Sequence, residues 1–250
     1  MKKITLNLDV WAGLGDNLQV STIPRRFFDK YGYNGVYISN SSPYRNEQIK
    51  ELVWDKNPYI AGFTNKKGVN ISEVGLVKFD GTTNWIQNME KIYNFEAPHS
   101  TRPEIYYSIE DVDLCNVSNS VVIDMSYSQE SFARNTERYP YMNTSTKNKI
   151  QELFAQKKEE VSVKVIYQPE HLKNVNFFEK INIEVPHEKL VVNDIYTYCN
   201  IIKHCKQYVC SHSGCHALAA AIRPSCICLL PVNYLNMKYF VFDGIKYIPF

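Results

Sequence analysis

Apolar residues recur at every second position near the start of the chain, at Ile4, Leu6, Leu8 and Val10, the period of a half-buried strand. The loop Trp11-Ala12-Gly13-Leu14-Gly15-Asp16 follows, and beyond it Leu18, Ile23, Phe27 and Phe28 fall at roughly helical spacing. Pro24 lies inside that run and is expected to kink the helix or to start a second one, and Gly32 closes it. The pattern then predicts a strand at 35–39, a helix at 47–53, a strand at 74–79 and a helix at 85–93.

The alternation stops at 97–119, where Pro98, Pro103 and several acidic and polar residues read as a linker or crossing segment. It restarts with Val121-Val122-Ile123-Asp124, a buried-type strand. A helix follows at 147–158, with Ile150, Leu153 and Phe154 on one stripe. Strands are expected at 161–167 and 181–185, and a helix at 194–205 with Ile195, Tyr198, Cys199 and Ile202 on one face. A strand at 208–210, an alanine-rich helix at 214–222 and a buried strand at 226–230 complete the series. Aromatic residues flank Asp243-Gly244, a hairpin-turn signal.

Such alternation implies parallel sheets with helices on both faces. Because the pattern restarts, the expected architecture is α/β with two Rossmann-like lobes, residues 1–110 and 118–233, facing each other across a cleft, followed by an aromatic tail at 234–250. In sheets of this kind ligands sit beyond the carboxyl ends of the strands, so the cleft is the expected binding site.

Composition narrows the function classes. Of 250 residues, 44% are hydrophobic and 22% charged, enough to build a core. Lys and Arg number 28 against 26 Asp and Glu, a formal charge of +2, without the cation excess of a nucleic-acid binder. No apolar run approaches the roughly 18 residues of a membrane span. Asn7 and Asp9 interrupt the first apolar stretch, which therefore reads as a strand rather than a signal peptide. A cytoplasmic location is expected, with at most peripheral contact at the inner face of a membrane. Of the seven cysteines, six fall between Cys199 and Cys228, and without an export signal they are expected to be reduced thiols.

Chemistry-bearing residues gather at turns. Gly13-Leu14-Gly15-Asp16-Asn17 joins the first strand to the first helix. Glycines leave room there for a tight turn and a ligand, and helix-start amides attract an anion. An aspartate would repel phosphate, so Asp16 fits a base, an acceptor for sugar hydroxyls, or simply the helix cap. A dinucleotide site is disfavoured: the third glycine of G-x-G-x-x-G is missing, and the second strand ends in Ser39-Asn40 without an acid for the ribose.

Cys210-Ser211-His212-Ser213-Gly214-Cys215-His216 leads into Ala217-Leu218-Ala219-Ala220-Ala221. Here Ser213 is placed to cap, Gly214 to allow close approach, and the helix mouth to take phosphate; a capped helix without ligand is the plainer alternative. Zinc competes for Cys199, His204, Cys205, Cys210, His212, Cys215 and His216, but no C-x-x-C pair is present. Met125-Ser126-Tyr127-Ser128 opens the second lobe, and Arg134 and Arg138 downstream could neutralise a diphosphate or merely be solvated.

The two glycine turns together resemble glycosyltransferase family 9, the ADP-heptose:lipopolysaccharide heptosyltransferase-like enzymes with the GT-B fold. Gly15-Asp16 stands where the family has a Gly-Asp pair whose aspartate is the proposed base. His212-Ser213-Gly214 aligns with the family's Asp-Ser-Gly, so His212 replaces its acid and Ala217 its histidine. The resemblance implies transfer of a sugar from a nucleotide-diphosphate donor to a hydroxyl of a bacterial surface glycan, lipooligosaccharide or capsule. Asp16 would be the base. Ser211, His212, Ser213, Gly214 and His216, with Ser126 and Ser128, would surround the donor phosphates, and Gly13, Gly15 and Asn17 would form the backbone loop. No metal or other cofactor is implied: Asp111-Val112-Asp113 has the form of a metal pair but lies in the crossing segment. The resemblance leaves oligomeric state open. Two alternatives stand beside it: a GT-B-like partner that binds nucleotide or sugar without turnover, and another α/β enzyme, such as a phosphatase or epimerase, using His212 or His216.

Overall fold

A computed structural model of the protein describes residues 3–7, 13–32, 35–70, 81–128, 142–155, 162–167, 174–176, 186–223, 225–230, 235, 238 and 240–249. Main-chain proximity divides the chain into two units. The first comprises Met1–Ser108, Ala220–Ile222 and Met237–Asp243, and the second Ile109–Ala219, Arg223–Asn236 and Gly244–Phe250.

In the first unit the elements run β1 (Ile4–Asn7), α1 (Leu14–Gln19), α2 (Ile23–Tyr31), β2 (Val36–Ser39), α3 (Glu47–Lys50), β3 (Ile60–Thr64), β4 (Val69–Asn70) and α4 (Trp85–Ile92). The strands form a parallel sheet in the order β3-β2-β1-β4. Pro24 begins a second helix rather than kinking one, because the first turn of α2 needs no amide from it. Gly32, at φ 58°, ends α2 and returns its N–H to the Phe28 carbonyl at 2.8 Å. Glu51–Asp55 continues α3 as one π-helical turn. Leu6, Leu18, Val36, Ile38, Leu52, Trp54, Ile86 and Met89 are fully buried, each large side chain contributing roughly 1.5–3 kcal/mol of apolar burial. Asn84 caps α4, accepting from the Gln87 amide at 3.0 Å while the Gln87 side chain accepts from the Asn84 amide at 3.3 Å.

The second unit contains β5 (Ser120–Asp124), β6 (Ser126–Ser128), α5 (Met142–Ala155), β7 (Ser162–Tyr167), β8 (Asn174–Asn176), β9 (Glu188–Val191), α6 (Ile195–His204), β10 (Gln207–Ser211), α7 (Gly214–Ile222), β11 (Ile227–Leu230) and β12 (Lys246–Pro249); the last residues of α7 group with the first unit. Its main sheet is parallel, in the order β12-β11-β10-β5-β7-β9. β6 and β8 form a separate antiparallel pair. Val121, Ile123, Val163, Val165, Val209, Ile227 and Leu229 from the central strands close the core with Met125 and with Ile150 of α5. Asp194 caps α6 through the Tyr196 and Thr197 amides, at 2.9 and 2.8 Å, and the expected stripe Ile195, Tyr198, Cys199 and Ile202 is buried.

The chain is thus α/β with two parallel sheets, and 97–119 carries no regular element. The expected strands at 74–79 and 181–185 lie outside the described residues. Helix α5 starts at Met142, earlier than its apolar stripe indicated. Asp243-Gly244 does turn, with Gly244 at φ 83°, but no hairpin follows: β12 runs parallel to β11. A two-residue signal specifies a turn and leaves the pairing partner to long-range packing. Among the described residues, no helix is long and apolar enough to cross a membrane.

Candidate functional site

Strand β10 ends at Ser211, and α7 begins three residues later. Ser213 occupies the cap position but does not cap. Its hydroxyl donates to the Ser126 carbonyl at 3.1 Å and lies 2.9 Å from the Cys215 thiol. The expectation of a serine cap is therefore corrected: the side chain ties the end of β10 to the start of β6 and leaves the helix mouth without its hydroxyl. The Ser126 and Ser211 hydroxyls flank this turn. Their residues are 6% and 2% exposed, and neither hydroxyl has a hydrogen-bond partner among the described residues. Two buried orphan hydroxyls beside an α-helix N-terminus are costly unless something else satisfies them.

The two histidines differ. His216 is buried, and its Nδ1 lies 3.2 Å from the Ser213 carbonyl while Nε2 lies 3.4 Å from the Tyr247 hydroxyl. A proton on Nδ1 satisfies the carbonyl and leaves Nε2 to accept from Tyr247. His216 thus braces the first turn of α7 against β12. His212 is half-buried, with its ring 5.4 Å from that of His216. Desolvation, and then the neighbouring imidazole, hold its pKa well below the ordinary value. That direction favours the neutral imidazole.

Behind the turn lies Asp124, the fully buried last residue of β5. One oxygen accepts the Ser126 amide at 2.9 Å. The other accepts the Tyr208 hydroxyl at 2.9 Å and the Tyr198 hydroxyl. Desolvation raises the Asp124 pKa, and the hydrogen bonds it accepts from the Ser126 amide and the Tyr208 hydroxyl oppose that rise. Ser128 pairs through its backbone with Asn174 in the β6–β8 ladder. Arg134 and Arg138 lie outside the described residues.

The first glycine turn is built differently. Gly13 is the residue before α1, with φ −72° and ψ 161°, a conformation open to any residue. What it supplies is space: a Cβ there would lie 2.7 Å from Asp16 Oδ2. The Gly13 amide donates to that oxygen at 3.0 Å, so Asp16 caps the turn from within the helix while staying half-exposed. Gly15 lies inside α1. Asn17 is buried, donates to the Gly13 carbonyl at 2.9 Å and accepts the Trp54 indole N–H at 2.7 Å. It fastens the loop to the core instead of lining it.

The other expectations resolve locally. Asp111 pairs with Lys203 at 2.7 Å, and the Asp113 carboxylate accepts the Cys115 and Ser118 amides at 3.2 and 2.8 Å; both acids are occupied in the crossing segment. Cys199, Cys205, Cys210 and Cys215 are buried thiols whose pKa values are raised chiefly by desolvation, that of Cys199 to about 12 and that of Cys205 to about 11, the opposite of what a thiolate ligand needs.

No family model matches the sequence, and no curated protein matches it. Solved structures do. A family 9 glycosyl transferase from Veillonella parvula DSM 2008 aligns over 100% of this chain and 86% of its own, with TM-score 0.62 and 9% identity. The iron-containing heptosyltransferase TibC of enterotoxigenic E. coli H10407, solved with ADP-D-beta-D-heptose, aligns over 97% of this chain and 62% of its own, with TM-score 0.55 and 12% identity. E. coli heptosyltransferase WaaC with ADP aligns over 99% and 93%, with TM-score 0.53 and 8% identity. The fold is that of the GT-B heptosyltransferases.

Within this GT-B fold, sequence reasoning missed two groups. Asp124 was read only as the end of a strand; an acid closing a run of buried apolar residues was the available signal. The other group gathers at the carboxyl ends of the first sheet. Asn7 donates to Asn70 at 2.9 Å and accepts the Ser41 and Ser42 hydroxyls at 3.1 and 3.2 Å, while the Ser39 and Ser41 hydroxyls lie 2.8 Å apart. Ser39-Asn40 was weighed only as lacking an acid, although uncharged amides and hydroxyls at strand ends suit sugar hydroxyls.

Proposed function

We propose that the protein is a glycosyltransferase that moves a sugar from a nucleotide-diphosphate donor to a hydroxyl of a bacterial surface glycan, with no bound cofactor. The observation that carries this reading is the mouth of α7: a helix start that Ser213 leaves uncapped, flanked by the buried hydroxyls of Ser126 and Ser211, which have no partner among the described residues. Helix-start amides and hydroxyls together stabilise the charge that grows on a departing diphosphate. ADP and ADP-heptose in the structures of WaaC and TibC support an adenine nucleotide as the first donor to test.

Asp16 is the base in this reading. It takes the proton of the acceptor hydroxyl as that oxygen bonds to the anomeric carbon, and the bond from that carbon to the diphosphate breaks. The nucleoside diphosphate leaves, and Asp16 releases its proton to water. The amide and hydroxyl cluster around Asn7 supports a neutral, hydroxyl-rich acceptor. His212 donates to the donor as a neutral imidazole. Such a protein would work in the cytoplasm, at or near the inner face of a membrane that carries its acceptor.

Calorimetric titration with ADP, in the presence of EDTA, tests the donor half. Binding is expected, and Ser126→Ala combined with Ser211→Ala should weaken it about tenfold or more. Unchanged affinity in the double variant removes the α7 mouth from the site. A second reading, binding without transfer, is favoured by the bond that already occupies Asp16 Oδ2. It predicts nucleotide binding with no turnover across a panel of nucleotide sugars screened by mass spectrometry.

A further inference from the structure

Asp124 is a fully buried acid that the proposed transfer does not use. The sheet does not demand an acid at its place: the adjacent strands β7 and β10 end in Tyr167 and Ser211. A carboxyl group withdrawn from water is costly, and its oxygens must be matched by donors. Three donors meet this one. The hydroxyls of Tyr208 on β10, at 2.9 Å, and of Tyr198 on α6 reach one oxygen and lie 2.8 Å from each other. The other oxygen accepts the Ser126 amide at 2.9 Å, two residues on in the chain. Asp124 is thereby fixed from behind, and it holds the bend through which the chain leaves the main sheet and enters β6.

That bend is tied onward to the helix mouth. Asp124 stands opposite Cys210 in the β5–β10 register, so the turns after these two strands emerge side by side. The Ser213 hydroxyl crosses from one turn to the other and donates to the Ser126 carbonyl at 3.1 Å. A continuous path therefore runs from two buried tyrosines through Asp124 and the Ser126 backbone to Ser213, the residue before α7. The hydroxyls of Ser126 and Ser211, which have no partner among the described residues, belong to the two turns that this path joins.

We propose that Asp124 is a positioning residue for the donor diphosphate, fixing the spacing between the Ser126 turn and the mouth of α7 through Ser126 and Ser213. The inference rests on the reading of that mouth as the donor site. Asp124 itself does not touch the donor. It acts through the Ser126 amide, and hydrogen-bond donors aimed at an anion lose much of their value when displaced by about 1 Å.

Calorimetric titration of the full chain with ADP, alongside the melting temperature of each variant, tests it. Asp124→Ala should weaken ADP about tenfold. Asp124→Asn, whose amide oxygen still accepts the Ser126 N–H, should bring affinity back to within about twofold of wild type. Ser213→Ala cuts the other end of the path at a half-buried position. It should weaken ADP by a similar factor, and it carries the test alone where Asp124→Ala does not fold. The two changes together should weaken ADP little more than either one, because both break the same path. Tyr198→Phe separates position from stability. It removes a bond to the far oxygen of Asp124, so melting temperature should fall while ADP affinity stays within about twofold. Wild-type affinity in Ser213→Ala or in folded Asp124→Ala overturns the proposal. So does additive weakening in the double variant, failure of Asp124→Asn to restore affinity, or a loss in Tyr198→Phe as large as that in Asp124→Ala. In each of these cases a wild type that binds ADP leaves the donor reading standing, whereas a wild type that binds no nucleoside diphosphate overturns both.

Discussion

Both units contain a strand, a short polar turn with glycine and a helix, yet the two turns solve the same electrostatic problem in opposite ways. In the first, the amide at the helix start is satisfied from inside: Asp16 reaches back to Gly13, and Asn17 ties the loop to buried Trp54. In the second, the residue at the cap position turns away to Ser126, and two buried hydroxyls have no partner among the described residues. A turn that satisfies itself is stable alone and offers a positioned carboxylate. Under the proposed function, a turn that does not is the one that receives the donor. The difference assigns different jobs to motifs that look alike in sequence.

The strongest way to break this contrast is Asp16→Asn. An asparagine oxygen still accepts the Gly13 amide, so the cap survives and melting should move little. Under the proposed chemistry, transfer should fall by roughly 10²–10⁴-fold while ADP affinity stays within about twofold. Steady-state turnover, melting temperature and ADP titration on the same preparation decide it. Turnover that tracks the small stability change would leave Asp16 with a cap and nothing more.

Next in size is Asp124, on which the second turn is founded. Asp124→Ala leaves the Ser126 amide and two tyrosine hydroxyls buried without their acceptor, at a cost of about 3 kcal/mol or more, read by urea denaturation. Asp124→Asn isolates the titration. The folded pKa is raised, so between the unfolded value of about 3.9 and the folded one the native state holds a proton that the unfolded chain has lost. Stability from this group is therefore complete at low pH and declines as pH rises through that window. Wild type should lose stability relative to Asp124→Asn from about pH 4 upward, with the difference levelling once pH passes the folded pKa. Parallel pH profiles for the two proteins would remove Asp124 as the titrating group.

How much of this was legible in sequence follows the range of the interactions involved. The α2 start at Pro24, the Gly32 stop, the α6 stripe and the buried runs of β5, β10 and β11 are local patterns, and the structure agrees with each. β3, with Gly62 inside it, and β9, whose Glu188 and Lys189 are exposed, went unread because each lies at a sheet edge, where alternation is weak. The parallel placement of β12 rests on pairing with β11 across intervening chain. At the sites, residue types were legible but orientations were not. Nothing in Ser-His-Ser-Gly says that Ser213 faces Ser126 or that His216 is sealed while His212 is partly open. A cavity beside α2 is lined by residues between 25 and 106 together with Ala221, a spacing that no local window connects.

The smallest expected effect gives the finest test of the first turn. Gly13 has an ordinary backbone conformation, so Gly13→Ala carries no strain in φ. Its cost is the meeting of the new methyl with Asp16 Oδ2, 2.7 Å away in the present geometry. The carboxylate must swing aside, giving up the bond to the Gly13 amide, for roughly 0.5–1.5 kcal/mol. Stability, measured by thermal melting, should therefore drop only slightly. Under the proposed chemistry transfer depends on where that carboxylate points, and a displacement of about 1 Å in a positioned group can cost on the order of 10²-fold. A loss of transfer well beyond the loss of stability means that the self-satisfying turn positions a working carboxylate. Equal, small losses in both mean that its bond to Gly13 is only the cap of a helix.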